Sequence, residues 1–222
     1  MLEAVCPNCG APVRFRSADL PVKVCDHCRS SLIRGVESLQ AVGKIAEVPD
    51  DVSPLQLGTR GRDGDRRFEL IGKVRWRWSD GAWNEWLALF DDNNFGWLGE
   101  SMGRFMLLRP VSVIVGNRLI ETIREDKPVA VGTTTSIDEI DYSVVDAKDV
   151  VCVGGEGELP ISTPAGLAMV SVDLMTGDGR CASIQKDRGD VAVYIGRYVT
   201  LADISATNLR VFEGWPMPNF AA

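Results

Sequence analysis

Four cysteines carry the clearest chemistry in the chain. They stand in CPNCG at 6–10 and CDHCR at 25–29, two C-x2-C turns with fifteen residues between Cys9 and Cys25. Each turn aims two sulfurs at one point, and two turns complete the tetrahedron of thiolates that zinc favours. All four positions are filled, so the pattern predicts a closed, structural zinc site on Cys6, Cys9, Cys25 and Cys28, not an open catalytic one. The one histidine, His27, sits inside the second turn and is an alternative to one thiolate. So short a module buries too little apolar surface to fold unaided, and the metal would supply folding free energy.

Carboxylates beside tryptophans form the second group. Five of the six tryptophans fall in WRWSDGAWNEWLALFDDNNFGWLGE, residues 76–100, with Glu85 and Glu100 among them. In an extended strand Trp83 and Glu85 share one face, and Asn84 and Trp86 share the other. A carboxylate placed so either fixes a neighbouring strand by accepting an indole or backbone N–H, or forms with a ring face a pocket for an ammonium or guanidinium. In VGGEGELP, Glu156 and Glu158 alternate by two. With Glu85 or Glu100 they would make an acidic site for a small cation such as a polyamine, an oxygen-ligated metal, or a paired-carboxylate reaction.

Other catalytic equipment is missing from the sequence. With His27 in the metal turn there is no free imidazole for a general base or a triad. Cys152, in DVVCVGG, reads as a small buried apolar residue; Cys181, after GDGR, reads as more exposed and has no histidine to activate it. The glycine-rich VGGEGELP lacks the Lys-Ser/Thr ending of a phosphate loop. These absences favour a non-enzymatic binding or scaffold module over an enzyme.

Charge narrows the partner. The chain of 222 residues carries 24 basic and 31 acidic side chains, a net charge of −7, so its overall field does not attract phosphate backbones. The run from Arg60 to Arg77 holds seven cations, but its Arg and Trp residues alternate and so take opposite strand faces. A nucleic-acid stacking platform needs them on one face, so a nucleic-acid-binding zinc ribbon is the weakest of the readings. The N-terminus lacks a basic, then apolar, leader, and no window approaches the roughly 18 apolar residues of a membrane span. The expectation is a soluble, cytoplasmic protein.

Period-two patterning places these groups on strands. Leu70, Gly72, Val74, Trp76 and Trp78 alternate with Ile71, Lys73, Arg75 and Arg77, as in a half-buried strand. Ser79-Asp80-Gly81 marks a hairpin, AWNEWLALF a second strand and FGWLGE a third. MLLRPVSVIVG, KPVAVGTT, DYSVVDAKDVVCVGG, AGLAMVSVDLM, CASIQKD and DVAVYIGRYV read as further strands, with Gly116-Asn117 as a turn. ESMGRFML and SIDEIDYSVV are helix candidates. The fold class is mostly β: an N-terminal zinc ribbon with connector over 1–50, a β-barrel or sandwich-like domain over 57–212, and a tail at 213–222. APVRFRSADLPVKV is expected to form the ribbon hairpin, turning near Asp19–Pro21. FELIGKV and VAVYIGRYV resemble each other, which suggests two related β halves.

FELIGKV, GAWNEWLALF and GWLGE, with VGGEGELP, CASIQ and YIGRYV later, resemble the bacterial domain-of-unknown-function 4178 family over about 57–210. The resemblance implies a β-rich fold with no established activity. Trp83, Glu85, Trp86, Trp97, Glu100, Glu156, Glu158 and Pro160 stand at the family's signature positions, while Ile161 departs from the aromatic often found there. Some members carry a zinc ribbon, and members tend to neighbour genes resembling polyamine-synthesis enzymes and small membrane proteins. The resemblance thus implies an accessory role, polyamine-linked or membrane-associated, with a protein partner.

Overall fold

The computed structural model describes residues 2–35, 38–45, 51–112, 115–214 and 220. Residues 46–50 of the expected first unit and most of the 213–222 tail lie outside the described residues. The N-terminal part consists of β1 (Leu2–Val5), β2 (Pro12–Phe15), β3 (Val22–Val24), β4 (Ser30–Arg34) and β5 (Leu39–Lys44). Strand β1 pairs with β2 around the first cysteine turn, and β3 pairs with β4 around the second. The expected hairpin between the cysteine turns is thus corrected: β2 and β3 lie in different sheets, and each takes the strand across its own cysteine turn as partner. Val13, Phe15 and Leu32 bury beneath the cysteines as a small separate core.

The body holds β6 (Arg60–Asp63), β7 (Arg66–Trp78), β8 (Gly81–Phe90), β9 (Phe95–Ser101), β10 (Arg104–Val111), helix α1 (Arg118–Arg124), β11 (Thr134–Ile137), β12 (Ile140–Leu159), β13 (Ala168–Met175), β14 (Arg180–Asp187) and β15 (Asp190–Val199). It is built of two antiparallel four-stranded meanders, β7 to β10 and β12 to β15. The last strands of the two, β10 and β15, pair with each other, and so do the first, β7 and β12. An eight-stranded ring results, which removes the exposed edges an open sheet would carry. The two halves are therefore real as architecture, but FELIGKV and VAVYIGRYV lie on β7 and β15, which hold different places in their meanders.

Alternation sorts the side chains into three apolar clusters. The inward residues of all eight strands, among them Trp76, Leu87, Trp97, Leu108, Cys152, Met169 and Cys181, fill the barrel. Outside β7 to β10, Phe68, Trp86, Leu98 and Leu107 are covered by Leu55, Ile204 and Ala206 from the flanking segments. Outside β13 to β15, Val172, Ile184 and Val193 are covered by Leu119, Ile120 and Ile123 of α1.

The strand β12 outlasts the barrel. Beyond Gly157 its end pairs with β3, so the cysteine module continues the barrel sheet. At this crossing β7 and β12 approach so closely that a Cβ on Gly72 would lie 2.0 Å from the Glu158 carbonyl oxygen, and one on Gly157 2.1 Å from that of Ile71. Only glycine fits there, and the φ of +70° at Gly157 adds a second reason. The Glu158 carboxylate then accepts the backbone N–H groups of Arg16 at 2.7 Å and Ser17 at 3.0 Å, tying the module down.

Four further expectations are corrected. ESMGRFML and SIDEIDYSVV are not helices; each spans a β-hairpin. Met102-Gly103 and Asp138-Glu139 both hold positive φ at the two turn positions, the tight reversal whose twist suits antiparallel strands. The helix lies instead at Arg118–Arg124, where the Asn117 side chain caps the Leu119 and Ile120 amides. KPVAVGTT is irregular up to Thr133, and only its last residue enters β11. Finally, a bulge between Leu70 and Gly72 switches faces within β7. Leu70 packs outside while Val74 and Trp76 pack inside, so the expected single face is two.

Candidate metal centre and interior cavity

The two cysteine turns converge. The four Sγ atoms of Cys6, Cys9, Cys25 and Cys28 all lie within 4.8 Å of one another, with Cys6–Cys28 at 3.7 Å and Cys9–Cys25 at 3.9 Å. A tetrahedral ion with ~2.3 Å metal–sulfur bonds separates its ligands by about 3.8 Å, so the donor set fits a four-thiolate ion. None of the six cysteines forms a disulfide. The Ser30 hydroxyl, 3.2 Å from Cys28 Sγ, and the Asn8 amide, 3.5 Å away, pull the Cys28 thiol down to about 5. At Cys9 the Ala11 amide favours the thiolate, but burial and the three neighbouring thiols outweigh it and push the group up to about 12. Four sulfurs this close cannot all ionise without a cation to share their charge.

Strand β8 presents a carboxylate–indole arrangement on each face. Inside the barrel, Glu85 Oε2 accepts the Trp76 indole N–H at 2.9 Å. Its Oε1 accepts Trp83 Nε1 at 3.2 Å and Gln185 Nε2 at 2.7 Å. Burial raises the Glu85 pKa despite these three donors. Outside, Glu100 Oε2 accepts Ser53 Oγ at 2.7 Å, Asn84 Nδ2 at 3.0 Å and Trp86 Nε1 at 2.9 Å. Asn84 also reaches Asp51 at 2.7 Å, and Asp51 bonds Lys73 at 3.1 Å and Arg75. Burial opposes the Asp51 charge, but the Asn84 hydrogen bond and the Lys73 and Arg75 cations more than offset it, and the pKa falls. Lys73 stands 4.6 Å from the Trp86 ring. The outer face is thus a charge-balanced staple holding residues 51–55 against the barrel.

The inner face opens on a cavity of about 290 Å³ near the β9–β10 turn. Trp78, Trp83 and Trp97 wall it, with Glu85 and Asp173 among its acids. The Trp78 and Trp83 rings are 5.6 Å apart. Asp173 is half-buried in the cavity lining; desolvation raises its pKa even though the Ser183 hydroxyl and then the Lys148 charge favour the ionised form. Among the described residues neither Glu85 nor Asp173 forms an ion pair with a lysine or arginine. The nearby Tyr194 hydroxyl is pushed up to about 12, first by burial and then by the Glu85 charge. The Trp97 indole N–H is sealed from solvent, and its polar partner is the Tyr194 hydroxyl, whose charged form it favours from just outside strict hydrogen-bond geometry.

The residues singled out from sequence therefore separate. Trp83, Glu85 and Trp97 meet at the cavity; Trp86 and Glu100 hydrogen-bond on the outer face, although Glu100 also borders the cavity rim. Glu158 docks the cysteine module. Glu156 is half-buried opposite Lys73 and does not line the cavity. Cys152 is buried, its thiol raised to about 11 by desolvation. Cys181, expected to be exposed, is instead wholly buried in the barrel, its thiol raised to about 12 by desolvation first. Sequence reasoning missed Asp173, a lone carboxylate in the apolar alternation AMVSVDLM, whose odd polarity was the available signal. It also missed Gln185, Arg104 and Lys148. A larger groove of about 900 Å³ lies elsewhere on the body. Its buried cation, Lys186, is already bonded to the Arg124 carbonyl and to Asp126, so that groove presents no buried group in want of a partner.

These features define a closed antiparallel β-barrel with a docked four-cysteine module and an acidic, tryptophan-walled interior. Residues 56–201 match the family model described as a domain of unknown function (DUF4178), and the chain belongs to that family. No curated protein and no solved structure matches it. Among the described residues no helix is long and apolar enough to cross a membrane.

Proposed function

We propose that this protein is a non-enzymatic binding module whose barrel cavity takes a small organic cation, and whose cysteine cluster holds a structural zinc ion. The observation that carries the reading is the cavity's unbalanced charge. Glu85 and Asp173 line it beside three indole rings, neither in an ion pair; the Lys148 charge reaches Asp173 but is itself paired with Asp146. Unpaired buried carboxylates cost free energy. A protonated aliphatic amine neutralises them and gains cation–π attraction from the rings. A polyamine belongs to this ligand class, which agrees with the polyamine-linked role that the family resemblance implies; a protein partner of a membrane-associated system is the scaffold form of the same accessory role.

The zinc proposal rests on the all-thiolate donor set, since soft sulfur ligands at tetrahedral spacing select zinc over oxygen-seeking ions. Metal analysis of protein purified without chelator is expected to give one zinc per chain; a metal-free, folded protein would refute it. For the cavity, n-butylamine in excess is expected to raise the melting temperature of the wild-type protein and not that of Asp173→Asn. Equal shifts in both, or none in either, would remove the ammonium site.

A further inference from the structure

The cavity's charges are graded. Glu85 and Asp173 are enclosed, whereas Arg104 is an exposed residue on the β9–β10 hairpin that also lines the space. Its guanidinium stands 5.1 Å from the centre of the Tyr198 ring, another lining residue. Among the described residues Arg104 has no carboxylate partner. The second cation of the lining, Lys148, differs: it pairs with Asp146 and lies 5.2 Å from the Trp78 ring. Arg104 is therefore the lining cation held by an aromatic face but left with its forked donors free. Such a fork matches a carboxylate or phosphate.

A plain amine or a polyamine brings only donors and leaves Arg104 unmet. A molecule with an ammonium group and an anionic group meets Arg104 as well as Glu85 and Asp173.

We propose that the ligand is a small zwitterion, an aliphatic amine carrying a carboxylate or phosphate. Its ammonium group sits with Glu85 and Asp173, and its anionic group is bound by Arg104. This inference rests on the ammonium site described above. Arg104 is then the residue that sets specificity, because the carboxylates alone do not distinguish a zwitterion from a diamine.

The test is calorimetric titration of the full, zinc-loaded chain with 4-aminobutyrate, O-phosphoethanolamine, 1,4-diaminobutane and n-butylamine. At least one zwitterion is expected to bind tenfold or more tightly than n-butylamine, and the better of the two identifies the anionic group. Arg104→Gln, an exposed position that leaves the core intact, is expected to bring that zwitterion down to the n-butylamine level without changing n-butylamine itself. If diamine or n-butylamine binds as well as either zwitterion, or Arg104→Gln weakens all four alike, the zwitterion is overturned while the ammonium site stands. If none of the four binds, the ammonium site fails and the zwitterion with it.

Discussion

The two faces of β8 use the same chemical unit to opposite ends. On each, a glutamate accepts indole N–H groups, Glu85 from Trp76 and Trp83, and Glu100 from Trp86. On the outer face Asp51, Lys73 and Arg75 surround the unit, and residues 51–55 close over it. Inside the barrel no lysine or arginine of the described residues pairs with Glu85 or Asp173, and a cavity takes the place of the covering segment. The difference lies in what completes the unit. A charge balanced by its own chain is a staple, whereas an unbalanced one beside empty space is a site.

The comparison breaks most sharply at Glu100. Glu100→Ala leaves the donors of Ser53, Asn84 and Trp86 buried without this acceptor, a loss of about 3 kcal/mol at roughly 1 kcal/mol per orphaned donor. Urea unfolding should show the loss, while the folded fraction keeps its amine-induced stabilisation. An unchanged urea midpoint would mean that the outer unit is not a staple.

A second contrast is in pH. The depressed Asp51 pKa means that its contribution is present above the ordinary carboxylate range and is lost as pH falls through the depressed value. The raised Glu85 and Asp173 pKa values act the other way. Their contribution is present below the ordinary carboxylate range and is lost as pH rises through the raised values. Asp51→Asn should therefore cost about 2 kcal/mol at neutral pH, less than the roughly 3–5 kcal/mol of a broken fully buried ion pair because Asp51 is only partly buried, and nothing at strongly acid pH. Melting curves from strongly acid pH up to pH 8 read both signs, and a loss that does not shrink in acid would contradict the assignment.

Smaller effects separate site from support. Asp173→Asn keeps the shape and removes a buried charge, so at neutral pH the ligand-free protein should gain about 1 kcal/mol, as functional groups replaced by neutral ones often do. It should also lose its response to amines. A destabilised Asp173→Asn that still binds n-butylamine would make Asp173 structural. Glu156→Ala, at a half-buried position away from the cavity, should stay within about 0.5 kcal/mol of wild type and bind amines normally; weakened binding would extend the site to β12.

Much of the fold was legible because it is local. The C-x2-C turns and the run AWNEWLALF carry their geometry in spacing and alternation, which is why the convergence of the four cysteines and the opposed faces of Trp83 and Trp86 are legible in the sequence. The hairpin turns at Met102-Gly103 and Asp138-Glu139 could not, because those residues hold positive φ only where paired strands impose it. The face switch at Ile71 is also illegible, since a bulge is set by the register of two partner strands.

The sequence by itself determined the cysteine tetrad, the β class, and the placing of Glu85 with Trp83 on one face of β8 and Trp86 on the other, with Glu100 close by in the chain. Only the tertiary structure decided which of those carboxylates has a counter-charge. Ring closure places Asp173, eighty-eight residues away from Glu85 along the chain, at the same cavity, while Lys73, Arg75 and Asp51 fall outside the wall. Alternation fixes that two neighbouring side chains face opposite ways, but inside and outside acquire meaning only when long-range pairing closes the sheet.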